Sequence, residues 1–208
     1  MIQTSALKHT YKDSHAIQWP DLKIGSNEQW LLLGQSGTGK TTLLHLLAGI
    51  LSAKEGVIRM AGQELNGLGQ AKLDHYRGKN VGMIFQKHLF VGGVRMLDNL
   101  LLAQSLPGLK KDKSYIKKLA LAFELERLIN KKPNELSQGE LQRFSVMRSL
   151  VNKPSVLLAD EPTSSLDDEN CHRFVKLLRK ACHDYHLTML IATHDARLKQ
   201  EFTNIIQL

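Results

Sequence analysis

The spacing of apolar residues changes along this chain, and each change marks a block. Up to residue 33, polar and apolar positions alternate between turn residues (Pro20-Asp21, then Gly25-Ser26-Asn27), the period of short antiparallel strands. Trp30-Leu31-Leu32-Leu33 is an unbroken apolar run that reads as a buried strand, and an apolar run of helical length, 42–48, follows and stops near Gly49. Residues 56–60 read as a strand closed by Ala61-Gly62, and residues 81–85 as a buried strand that delivers Gln86 at its end. From Lys87 to Lys153 the period is helical. A helix at 94–106 is stopped by Pro107-Gly108, Ile116, Leu119, Ala120 and Phe123 keep helical spacing, and a third helix runs from Ser137 to Val151. Beyond Pro154, strands at 156–159, 188–192 and 204–208 alternate with a helix at 168–183. The pattern predicts an α/β fold. A core of residues 1–86 and 154–208 carries a mainly parallel sheet with an antiparallel N-terminal β subdomain, and residues 87–153 form an inserted helical subdomain.

Gly34-Gln35-Ser36-Gly37-Thr38-Gly39-Lys40-Thr41 lies between the strand ending at Leu33 and the helix from Thr42, and it fits G-x-x-x-x-G-K-[ST], the phosphate-binding loop. The glycines let backbone N–H groups turn inward around phosphates, and the helix N-terminus adds its partial positive charge. A nucleotide's phosphates are therefore assigned to Gly34, Gln35, Ser36, Gly37, Thr38, Gly39, Lys40, Thr41 and Thr42. The motif predicts that Lys40 reaches the β- and γ-phosphates and that the Thr41 hydroxyl sits on Mg²⁺. A glycine-rich turn that matches by accident is the bland alternative, and the flanking strand and helix argue against it.

Val156-Leu157-Leu158-Ala159-Asp160-Glu161 is an apolar run that ends in two carboxylates. In a phosphate-loop enzyme such a strand puts its Asp, here Asp160, beside Mg²⁺, and Glu161 is then placed to orient and deprotonate an attacking water. Alone this signal is weak, because acidic residues commonly cap strands. Ser137-Gln138-Gly139-Glu140 opens the third helix of the insertion as a capping box. A Ser-capped, Gly-containing helix N-terminus is also an anion site, and both readings can hold together.

Composition narrows the partners. The chain has 208 residues, 28 Lys and Arg against 20 Asp and Glu, and a net charge of +8, which favours a nucleotide, a nucleic acid or an anionic membrane face. No apolar run approaches a membrane span, and residues 1–15 show no signal-peptide core. Cys171 and Cys182 fall on one helical face and read as structural thiols in a reducing compartment. Trp19 and Trp30 read as core, and of the nine histidines only His194, past an apolar strand and ahead of Asp195, reads as functional.

With these motifs in order, the chain resembles the nucleotide-binding subunits of ABC (ATP-binding cassette) transporters over nearly all its length. Leu136-Ser137-Gln138-Gly139-Glu140 is similar to the family signature, L-S-G-G-Q, and Asp160-Glu161-Pro162-Thr163-Ser164-Ser165-Leu166-Asp167 to its Walker B segment and D-loop. Thr193-His194-Asp195 resembles the H-loop and Phe85-Gln86 the Q-loop, and Tyr11 stands where the family often stacks an aromatic ring on adenine. The resemblance implies ATP as the nucleotide. Asp160 and Gln86 attend Mg²⁺, Glu161 the water and His194 the γ-phosphate, while Ser137 and Gly139 contact the γ-phosphate held by a second copy, with Asp167 in the D-loop. It also implies a head-to-tail homodimer that drives separate membrane-spanning subunits from the cytoplasmic face of the inner membrane. The signature departs from the pattern at Gln138 and Glu140, the latter adding a carboxylate near a partner's phosphates.

Two functions follow. The first is the ATPase subunit of a transporter, nearest in Val81 to Gln86 and Gln142 to Leu150 to the lipoprotein-release and macrolide-efflux type, although residues 87–99 lack the expected proline. The second is a soluble ABC-type ATPase acting on nucleic acid, ribosomes or cofactor assembly. A single cassette with no coiled-coil or zinc insertion makes nucleic acid the lesser expectation. Tyr11 also has a bland reading as a half-buried strand aromatic, and Gln86 as a polar residue at a strand end.

Overall fold

The computed structural model describes residues 1–11, 16–164 and 166–208, so Ser165 of the 160–167 segment lies outside the described residues, as do residues 12–15. Along the chain the strands and helices are β1 (Ile2–His9), β2 (Ile17–Gln18), β3 (Lys23–Ile24), β4 (Gln29–Leu33), α1 (Lys40–Leu47), β5 (Glu55–Met60), β6 (Gln63–Glu64), α2 (Gln70–Asn80), β7 (Val81–Ile84), α3 (Met96–Ser105), α4 (Lys113–Ala122), α5 (Gln138–Leu150), β8 (Val156–Asp160), α6 (Asp168–Asp184), β9 (Thr188–Thr193) and β10 (Asn204–Gln207). Short 3-10 turns occupy Pro133–Glu135 and Ala196–Glu201.

Two sheets separate the strands by direction. The antiparallel sheet has the order β2-β1-β5-β6 with β3 also on β1, and the parallel sheet has the order β10-β4-β9-β8-β7. Strands β8 and β9 are buried at every position, as expected of central parallel strands covered on both faces. Alternate residues feed different cores. Leu31, Leu157, Ala159, Met189 and Ile191 face the helices α3 to α6, whereas Leu32, Leu158, Leu190 and Ala192 face α1 and the antiparallel sheet. The helical segment has no core of its own: Phe144, Val146, Met147 and Leu150 join Ile84 and Leu157 in one cluster.

The parallel register decides where chemistry can sit. Leu33 pairs with Thr193, Asp160 with Ala192 and Ile84 with Ala159, so the chain leaves β4, β8, β9 and β7 at one edge of the sheet. That carboxyl edge is where open α/β sheets bind ligands. In the other sheet, β1 bulges between Ser5 and Lys8, with Ala6 at φ 48°. Gly56 fits there because a Cβ would lie 2.5 Å from the Ala6 carbonyl oxygen.

Several elements differ from the sequence expectation. Helix α1 begins at Lys40 rather than Thr42, because Gly39 adopts a left-handed φ of 87° as its N-cap and turns the next residues straight into the helix. Helix α3 spans Met96–Ser105, narrower than 94–106, since Arg95 is an extended N-cap and Met96 N–H donates to Lys131 O. Helix α2 was not expected. It buries only Leu73 and Tyr76, and it is anchored by Tyr76 Oη donating to Met60 O at 2.5 Å. Trp19 is core at 2% exposure, but Trp30 is only half-buried and its indole N–H donates to Glu28 at 2.7 Å. Cys171 and Cys182 are both buried free thiols on α6.

Candidate functional site

The strand β4 ends at Leu33 and releases the loop of residues 34–39, which Gly34 N–H ties to Thr193 O at 3.3 Å. Gly39 is confined on its other side: a Cβ there would lie 2.9 Å from Ile17 and 3.1 Å from Trp19, so a side chain would push the loop off the antiparallel sheet. Lys40 opens α1 and is buried at 6% exposure. Its ammonium turns back over the loop and donates to Gly34 O (2.8 Å) and Gln35 O (2.9 Å). Tyr11 sits just past β1, 44% exposed, with its hydroxyl 3.0 Å from Thr42 Oγ1 and its ring in a T-shaped contact with that of His9. A partly exposed aromatic ring therefore stands beside the first turn of α1.

Two carboxylates meet this loop from β8. The Thr41 hydroxyl donates to Asp160 Oδ1 at 3.1 Å. Burial is the main influence on Asp160 and pushes its carboxyl above the usual value, against the Thr41 hydrogen bond. Together these oxygens form a hard donor pair of the kind that shares a divalent cation with phosphate oxygens and water. Among the described residues no group of three or more His, Cys, Asp and Glu side chains is placed to hold a metal ion by itself.

Glu161 lies one residue beyond β8 with φ at 45°, a left-handed backbone that a glutamate rarely adopts. Its oxygens accept from Thr193 Oγ1 (2.8 Å) and from the backbone N–H of His194 (3.1 Å). His194 Nδ1 is 2.9 Å away, and Lys40 Nζ is at 3.5 Å. Burial pushes the Glu161 carboxyl up, but the hydrogen bonds from His194 and Thr193 outweigh it and hold it below the usual carboxylate value. Glu161 is thus an anion, and the histidine proton facing it is carried on Nδ1.

Ser137, Gly139 and Asp167 form a separate group. They line one groove of about 690 Å³ between the start of α5 and the start of α6. Among the described residues no hydrogen bond or ion pair joins them to residues 34–42. The capping box is present: Glu140 N–H donates to Ser137 Oγ (3.3 Å), and Glu140 accepts from Ser137 N (2.7 Å) and Ser137 Oγ (2.9 Å). The bonds from Ser137 lead in holding the Glu140 carboxyl below its usual value. Asp167 is the N-cap of α6 and accepts from Asn170 N–H at 2.8 Å. Gln86 is exposed two residues past β7, and among the described residues its side chain bonds neither Asp160 nor Thr41. Sequence reasoning passed over Thr193 as a site residue, although its place beside His194 was a signal.

The sequence pattern of a family described as "ABC transporter" matches residues 17–164. The chain belongs to the ABC transporter family. Among curated ABC relatives, the "Lipoprotein-releasing system ATP-binding protein LolD" of Wigglesworthia glossinidia brevipalpis is 34% identical over 190 residues, covering 90% of this chain and 83% of that protein. The LolD protein of Buchnera aphidicola subsp. Acyrthosiphon pisum is 39% identical over 173 residues, covering 80% and 74%. Among solved ABC cassettes, a dimeric post-hydrolysis state of MJ0796 bound to ADP and Pi superposes with a TM-score of 0.87 at 28% identity, covering 100% of this chain and 94% of that one. The cbiO1 protein from Clostridium perfringens has the same fold, with a TM-score of 0.88 at 24% identity, 99% of this chain and 83% of that one. The α/β architecture is accordingly the ABC cassette fold of a phosphate-loop NTPase. The chain is an ATP-binding, ATP-hydrolysing subunit of an ABC transporter.

Proposed function

We propose that this chain is the ATPase of a lipoprotein-releasing transporter, working as a head-to-tail homodimer on the cytoplasmic face of the inner membrane. The observation that carries the dimer is the division of the site into two half-sites. Residues 34–42 with Asp160, Glu161 and His194 lie at one sheet edge, and Ser137, Gly139 and Asp167 line a separate groove. A second copy turned head to tail brings the groove of one onto the loop of the other, enclosing ATP twice.

In this reading each residue has a task. To reach the β- and γ-phosphates, Lys40 exchanges the Gly34 and Gln35 carbonyls for phosphate oxygens. Thr41 and Asp160, with Gln86, would hold Mg²⁺, which would supply charge neutralisation at the phosphates. Tyr11 supplies the face for adenine. Glu161, already anionic, accepts the proton of the attacking water. His194, with Nδ1 2.9 Å from Glu161, is left its other ring nitrogen, Nε2, for the γ-phosphate.

Surface chemistry supports the membrane location. Residues 87–153 carry 13 Lys and Arg against 6 Asp and Glu, so the segment accounts for +7 of the chain's +8. Lys110, Lys111, Lys113, Lys117 and Lys118 are exposed, and among the described residues none lies within 4.0 Å of a carboxylate. Nearby, Ile50, Met83, Phe85, Leu106 and Pro107 form the apolar wall of a groove of about 490 Å³ that Asp74, Arg77 and Arg148 also line, suited to an amphipathic segment of a membrane subunit. Arg95 and Asp98 pair at 2.9 Å on the surface of the same region.

Purifying the chain with the membrane proteins encoded beside it tests this reading. We expect co-purification and ATP-driven release of a lipoprotein from reconstituted vesicles. Lys87→Glu, Arg95→Glu and Asp98→Lys should each cut coupled release while basal ATPase activity persists. Loss of ATP binding in these variants would place residues 87–98 in the catalytic core, and co-purification with RNA in place of membrane subunits would overturn the transporter reading.

A further inference from the structure

A single guanidinium links the segments that leave β8 and β9. Arg197 lies in the 3-10 turn Ala196–Glu201, whose N-cap Asp195 accepts from Arg197 N–H at 3.1 Å. The side chain then folds back, Nε donating to Asp195 Oδ1 (2.9 Å) and Nη2 to Oδ2 (2.8 Å), a bidentate pair. Its Nη1 donates to Asp168 Oδ1 (2.6 Å) and Leu166 O (3.2 Å), and Nη2 makes a longer bond to Thr163 O at 3.5 Å. All five guanidinium N–H groups are thereby used.

The network continues to the carboxylate. Asp195 accepts from the fully buried Thr163 through Oγ1 at 2.9 Å, and its backbone N–H donates to Thr193 Oγ1 at 3.0 Å. Thr193 Oγ1 donates to Glu161 Oε2 at 2.8 Å. An unbroken chain of hydrogen bonds therefore runs from Asp168, adjacent to Asp167 in the separate groove, through Arg197 and Asp195 to Glu161 and His194.

We propose that Arg197 is a positioning residue for ATP hydrolysis, locking the segment after β8 to the segment after β9 so that Asp167, Glu161 and His194 move as one unit. The inference rests on the homodimer reading, in which Asp167 faces the second copy while Glu161 faces the γ-phosphate of its own. Closure of the pair at Asp167 is then transmitted to the water-orienting carboxylate through Arg197. Lysine cannot replace it fully, because three donors on one nitrogen cannot span Asp195, Asp168 and two carbonyls at once.

The test uses the full chain as Arg197→Gln, Arg197→Lys and Asp168→Asn, measuring nucleotide affinity by titration, ATP-dependent pairing, and kcat and KM separately. Arg197→Gln should lower kcat tenfold or more with KM and ATP affinity within about threefold of the parent, and Arg197→Lys should restore part of the loss. Asp168 is 83% exposed, so Asp168→Asn removes one arm without threatening the fold. It should lower kcat severalfold in the parent and add little in the Arg197→Gln background, since both act through one network. A parent-like kcat in Asp168→Asn and either Arg197 variant, with ATP-driven pairing intact, overturns the role of Arg197 alone. An equal loss of ATP affinity and kcat would also overturn it, by marking Arg197 as part of the scaffold. If the unaltered chain fails to pair on ATP, the homodimer reading and this proposal fall together.

Discussion

Replacing Glu161 with glutamine changes one atom type at the point where four donors converge. Thr193 Oγ1, His194 N–H and His194 Nδ1 lie within 3.1 Å of its oxygens, and Lys40 Nζ lies at 3.5 Å. A glutamine keeps one acceptor oxygen and turns an NH₂ group toward groups that themselves donate. Charge-assisted hydrogen bonds contribute about 1.5–3 kcal/mol against about 1 kcal/mol for neutral ones, so we expect the nucleotide-free protein to lose about 2 kcal/mol at neutral pH. For a chain of this size that lowers the unfolding temperature by about 4–8 °C. The loss depends on ionised Glu161. Because its carboxyl is held below the usual value, the stabilisation is present above the unfolded value of about 4.3 and fades as pH falls through the lower folded value. The gap between the two proteins should therefore close on acidification below about pH 4. Turnover reports separately: loss of a general base costs about 10²–10⁴-fold in rate, while ATP binding persists and the trapped nucleotide holds pairs together. Steady-state ATPase assays and size-exclusion chromatography with ATP measure both. Turnover within threefold of the parent would falsify the role of Glu161 as base, and an unchanged unfolding temperature would show that the four contacts do not stabilise the fold.

Further outcomes follow from the same geometry. Lys40→Ala removes the ammonium beside the loop carbonyls and should weaken ATP binding tenfold or more, about 1.4 kcal/mol per decade; unchanged affinity in a direct titration would move the phosphate site elsewhere. Lys40→Ala and Ser137→Arg should each abolish ATP-driven pairing alone, yet a mixture should regain one good site, read as pairing of differently tagged copies. Persistent failure of the mixture, with encounters demonstrated by crosslinking, would leave Ser137 as a helix cap only. Glu140→Gln removes an anionic acceptor at the start of α5, costing about 0.3–1 kcal/mol of stability, but it also removes a carboxylate 2.9 Å from the Ser137 hydroxyl. We expect slightly lower thermal stability with tighter ATP-driven pairing; weaker pairing would mean the carboxylate helps to present Ser137.

The parts of this protein written in contiguous residues were legible without coordinates. The loop at 34–41, the strand run into Asp160-Glu161 and the box at Ser137 to Glu140 are each written within a few positions, and apolar runs of strand length mark β4, β7 and β8. Local backbone requirements and burial on both faces are properties a short segment expresses by itself. Helix α2 was invisible for the converse reason: two buried residues in eleven give no periodic stripe, and contacts from Tyr76 to Met60 O and from Arg77 to Gly49 O hold it in place.

Only the tertiary structure decided which of the legible pieces meet. The pairing of Asp160 with Ala192 and of Leu33 with Thr193 places Glu161 against Thr193, His194 and Lys40, a convergence of residues separated by up to 154 positions. The same register leaves Ser137, Gly139 and Asp167 lining a groove of their own, and folds Arg197 back across two segments that the sequence shows only as neighbours of known motifs. Hydrophobic pattern specifies which face of each strand is buried, since a one-residue slip would expose it. It does not specify which polar groups are thereby brought within hydrogen-bonding distance, because those contacts depend on the order and register of strands far apart in the chain.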